Sequence, residues 1–121
     1  MLSLCPGRHH GYMSAATITP APGRPSGATP VSDGPDGADG EVMLDAAIIA
    51  ALAPAANISV YFGPNSTAGF LAAINQAFSD GASVISISWG GPESRWTPQA
   101  MQAYDQSFAA ISSGGCSVFC A

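Results

Sequence analysis

The stretch NISVYFGPNSTAGFLAAINQAFSDGASVISISWGG, residues 57–91, decides the fold. It opens on a short β-prone run, Ile58, Val60, Tyr61 and Phe62, cut by Gly63, Pro64 and Asn65, which favour a turn over further strand. Ser66 or Thr67 then stands where a helix needs a cap, because a side-chain oxygen there accepts from an amide with no partner inside the helix. Phe70, Leu71, Ile74, Ala77 and Phe78 recur at helical spacing, and Gly81 supplies the stop. A second β-prone run, Ser83 to Trp89, ends at Gly90, Gly91 and Pro92. Strand, helix and strand in this order form the repeating unit of a parallel α/β sheet.

The same alternation continues on both sides. Downstream, Thr97 caps a helix with Pro98 at its first position, where a missing N–H costs nothing, and Ala100, Met101, Tyr104, Phe108 and Ile111 form its apolar stripe. Gly114 and Gly115 lead into a third strand, Cys116 to Ala121. Upstream, Glu41 to about Ala53 is rich in Ala, Leu, Ile and Met and stops before Pro54, which cannot continue a helix. This helix is apolar nearly all round and is expected to be buried. Residues 1–40 hold seven of the 14 Gly and six of the ten Pro and show no sustained period, so they are expected to form an irregular leader before an α/β portion at 41–121. Right-handed crossovers between parallel strands would make that portion an open three-layer fragment.

Composition narrows the function classes. A chain of 121 residues suffices for one domain and not for two separate cores. Only 9% of residues are charged, against about 25% in an average soluble domain, so much of the surface is expected to be covered by other sequence. The net charge of -5, with three Arg and no Lys, argues against nucleic acid as a partner. Pro54, Asn57, Pro64 and Asn65 interrupt the uncharged stretch between Ala46 and Ser79, so no membrane span is expected. The opening MLSLCPGRHH has no long apolar run behind a basic start, so no signal peptide is visible and localisation stays open. Cys5, Cys116 and Cys120 form no CxxC pair, and Cys116 and Cys120 read as small buried hydrophobes. His9 and His10 read as solvated residues rather than metal ligands.

The chemically unusual feature is Glu41 and Asp45, two carboxylates at i and i+4 on a helix that otherwise carries no charge. That spacing sets their Cβ atoms about 5–6 Å apart on one face. Like charges so close favour sharing one proton, which suits acid/base work at low pH. An acid near a helix start is also stabilised by the free N–H groups there, so the pair alone does not prove catalysis.

The stretch DGPDGADGEVMLD, residues 33–45, resembles the approach to the catalytic helix of the sedolisins, serine-carboxyl peptidases related in fold to subtilisin. ALAPAANISVYFGPN (51–65), TAGFLAAI (67–74), SVISISWGGPES (83–94) and SVFCA (117–121) resemble the same family in the same order, so the likeness covers roughly residues 15–121. It implies a partial subtilisin-like three-layer α/β fold with parallel strands and crossover helices. It also implies an acid-acting endopeptidase in which Glu41 is the general base for a serine and Asp45 orients it. The logic is that of Ser-His-Asp, with a carboxylate in place of imidazole.

Trp89 resembles the family's tryptophan that extends the network behind the acids. Ser88, Gly90 and Gly91 resemble the strand edge that pairs with substrate backbone, the partner expected being a peptide or protein. The family's oxyanion aspartate, nucleophilic serine and calcium site are expected beyond Ala121, so no cofactor is expected within these residues. Secretion is implied by the resemblance alone. Residues 1–14 show nothing like the family's N-terminal strand, and Ser112–Gly115 replace a usually Ala-rich helix end. Ser59, Ser66, Ser86, Ser88 and Ser107 read as capping, strand or surface residues. The alternative reading is a non-catalytic flavodoxin-like α/β module that binds a ligand at its strand ends. Unpaired sheet edges on so sparsely charged a chain point to self-association.

Overall fold

The computed structural model of the chain describes residues 2–5, 17–20, 36 and 38–120. Its elements are β1 (Leu2–Cys5), β2 (Thr17–Pro20), α1 (Ala38–Leu52), β3 (Asn57–Val60), α2 (Thr67–Ser79), β4 (Val84–Ile87), α3 (Pro98–Ser113) and β5 (Ser117–Cys120), with a 3-10 turn at Glu93–Arg95. The strands form one sheet in the order β2-β3-β1-β4-β5. β2 runs parallel to β3, and β4 runs parallel to β5. β1 lies between β3 and β4 and is antiparallel to both, so the other four strands all point one way.

The α/β class and the common direction of β3, β4 and β5 agree with the sequence. The centre of the sheet does not. Leu2–Cys5 and Thr17–Pro20 are strands inside the segment expected to be irregular, and β1 fills the place between β3 and β4. Leu4 stands in register with Ile58 on one side and Val84 on the other. Pro20, which has no N–H to donate, ends an edge strand, where a missing ladder bond is tolerated. His9 and His10 lie outside the described residues.

Strand alternation sorts the core into two faces. Ile58 and Val60 of β3 pack with Ala46 of α1, flanked by Val42, Ile49, Ala50 and Phe62. Tyr61, Ile85 and Ile87 pack on the opposite face with Ala73, Ile74 and Ala77 of α2 and Tyr104 and Ile111 of α3. The sheet is therefore sandwiched between α1 and the α2–α3 pair, giving the three layers. Ser107, grouped with the capping, strand or surface serines, is buried in α3 and ties it to α2 by donating to Asn75 Oδ1 at 2.8 Å.

The ends of α2 and α3 follow the sequence signals, whereas α1 starts at Ala38 rather than Glu41 and so takes in a third acid, Asp39. Ser66, rather than Thr67, caps α2 by accepting from Gly69 N at 3.1 Å, and Thr97 caps α3 by accepting from Ala100 N at 3.2 Å. Gly81, at φ +88°, takes the left-handed conformation that ends α2. α1 departs from expectation, because its apolar residues surround it and only one stripe meets the sheet. Met43, Leu44, Ile48 and Leu52 are 65%, 59%, 48% and 82% exposed, so the helix is half-covered rather than buried.

Candidate functional site

α1 reaches β3 through a turn at Pro54–Ala55 and runs back along the strand it packs on, which brings its first half to the end of the sheet where β3 and β4 exit. Glu41 and Asp45 lie in that half. At 3.6 residues per turn they stand about 40° apart around the axis, on one flank of the buried stripe Val42–Ala46–Ile49. Glu41 is exposed and Asp45 half-buried. Among the described residues neither carboxylate has a side-chain hydrogen bond or ion pair.

Ser88, Trp89, Gly90 and Gly91 leave β4 at the same end, Ser88 half-buried and the two glycines exposed. Trp89 faces the α2–α3 side, away from α1. Its ring stacks on Phe70 at 4.0 Å and 20° and meets Trp96 edge-on at 5.8 Å. Trp96 meets Tyr104 at 5.0 Å, and Tyr104 lies 5.8 Å from Phe108. The two acids thus lie on one flank of α1, and the Ser88–Gly91 segment leaves the sheet at the same end. Trp89 sits in an aromatic row, with no hydrogen bond to either acid among the described residues.

Two cavities flank this row, and Glu41 and Asp45 line neither. One, about 580 Å³, is bounded by Trp89, Gly90, Gly91, Glu93, Trp96, Met101, Tyr104, Asp105, Phe108 and Cys120. The other, about 340 Å³, shares Trp89, Gly90, Gly91 and Trp96 and adds Asn65, Ser66, Thr67, Arg95, Thr97 and Ala100. Sequence reading took Tyr104 and Phe108 for packing residues and gave Trp96 no role. The signal was present in the spacing of aromatic residues over Trp96–Phe108, but it is also the spacing of a core stripe. Cys116 is buried as expected, whereas Cys120 is exposed. Partial burial raises the Cys120 thiol above its ordinary 9.0.

Among the described residues no helix is long and apolar enough to cross a membrane, and no group of three or more His, Cys, Asp or Glu could hold a metal ion. No family model matches the chain. Kumamolisin from Bacillus sp. (strain MN-32) is 48% identical to it over 90 residues, which is 72% of this chain. The chain is related to the sedolisins. The segment spans only 16% of kumamolisin's length, so the sedolisin likeness is that of a part to a much larger whole. A sedolisin-like origin agrees with the order of elements from α1 onward, where the described residues of the stretches that resembled the family form strands, helices and strand exits.

Proposed function

We propose that this chain carries the acidic part of the catalytic machinery of a sedolisin-type peptidase that hydrolyses peptide bonds in acid, with Glu41 as general base and Asp45 as the group that orients it. The observation that carries this reading is the placing on one flank of α1, at the strand-exit end of the sheet, of two carboxylates without a partner among the described residues. A carboxylate there can take the proton of a serine hydroxyl as it attacks a carbonyl, and the neighbouring acid limits the ways the base can turn. The serine comes from sequence other than this segment. Ser88, Gly90 and Gly91 offer main-chain groups to an extended substrate, and the absence of side chains at the glycines lets its backbone come close.

The test is a chimera in which the residues matching kumamolisin replace their counterparts in that enzyme. Peptide hydrolysis at acid pH is expected to survive the exchange. Glu41→Gln in the chimera should then lower kcat by about 100- to 10,000-fold, the usual share of a positioned general base. Turnover indifferent to Glu41→Gln and Asp45→Asn would remove both residues from the chemistry.

A further inference from the structure

The larger cavity has a composition that the acidic pair does not explain. Its walls are the rings of Trp89, Trp96, Tyr104 and Phe108, and its rim carries the carboxylates of Glu93 and Asp105. Trp89 is held by its stack on Phe70, so its position in the wall is set before any ligand arrives. Both carboxylates are exposed and, among the described residues, form no hydrogen bond or ion pair. Arg95, the one basic residue among those described, lines the neighbouring cavity instead. Tyr104 is 8% exposed with its hydroxyl oxygen buried, so it gives the wall only part of its ring.

We infer that this cavity takes the cationic side chain of a peptide, a guanidinium or an ammonium, whose backbone lies along Ser88–Gly91. The peptide part rests on the peptidase reading above, whereas the cation part rests on the cavity alone. Ring faces attract a cation through their quadrupole, and Trp is the strongest of them. Glu93 and Asp105 add opposite charge at the mouth. A neutral apolar side chain would gain only its burial, and an anionic one would be repelled by both carboxylates.

The experiment is a binding titration of the full chain, followed by tryptophan fluorescence, with three blocked tripeptides whose central residue is arginine, citrulline or glycine. The arginine peptide is expected to bind about tenfold more tightly than the citrulline one, within the range of cation–aromatic contacts assisted by charge. Asp105→Asn, at an exposed position, should cut that preference several-fold. Equal binding of arginine and citrulline peptides, or a preference untouched by Asp105→Asn, overturns the inference. Propylguanidine separates the two readings. If it binds as tightly as the arginine tripeptide, the cavity recognises the cation and the strand edge does not hold a peptide backbone.

Discussion

A hydroxyl buried without a partner costs about 1–3 kcal/mol, because the water it loses is not replaced. Tyr104 bears this cost inside the cluster of Ile85, Ile87 and Ile111. Tyr104→Phe keeps the ring contacts with Trp96 and Phe108, so it is expected to stabilise the chain by about 1 kcal/mol. Burial also raises the Tyr104 phenol above the ordinary 10.0. The folded state therefore keeps this proton where the unfolded chain has lost it, and the resulting contribution is complete below pH 10 and lost as the pH rises beyond it. Denaturation midpoints on both sides of pH 10 should show a shallower alkaline fall for Tyr104→Phe. An identical fall in both proteins would place the titrating group elsewhere. The placing of Glu41 and Asp45 on one helix flank was legible because helical spacing sets two residues four apart side by side whatever surrounds them. The face chosen by Trp89 was not, since it follows the regular part of β4 and depends on Phe70, a residue in another element.

At the scale of elements, the turn between β3 and α2 depends on how closely two backbones approach. Ser66 N donates to Pro64 O at 2.7 Å and Phe70 N to Ser66 O at 3.0 Å, folding the loop onto the first turn of α2. A Cβ at Gly69 would fall onto the Pro64 carbonyl, and one at Gly63 would come within 2.6 Å of Gly69 O. Alanine is the better helix former, yet Gly69→Ala is expected to destabilise by about 1–3 kcal/mol, the usual cost of overpacking. Chemical denaturation checks this, and a gain in stability would mean that the loop moves aside freely. The α/β alternation from α1 onward was readable because caps, breakers and periodicity agree there, as Thr97, Pro98 and Gly81 show. β1 and β2 were not, because strands of four residues amid Gly and Pro have no period of their own and are specified by the neighbours they pair with. The burial expected for α1 failed for a related reason. An apolar sequence says that a helix can be covered, and not whether a cover is present.

At the scale of the whole molecule, the exposed side of α1 meets a shortage of charge. Leu44, Ile48 and Leu52 follow one another along the outer face of the helix, all exposed. With 9% charged residues, the chain has few groups with which to break up such a face. The sheet adds β5 at one edge, where Phe119 and Cys120 are exposed. We expect the isolated chain to self-associate mainly through α1, since aligned apolar side chains bury more area than a strand of four residues. Sedimentation of the parent chain should then show mass rising with concentration. Ile48→Glu with Leu52→Glu should return it to the monomer with the unfolding midpoint little changed, because neither side chain belongs to the packed stripe of α1. Val118→Pro, which removes a backbone donor from β5, should leave the association nearly as it was. If the proline variant alone abolishes association, the contact runs through the sheet edge. If the parent chain is monomeric at every concentration, the outer face of α1 drives no association by itself.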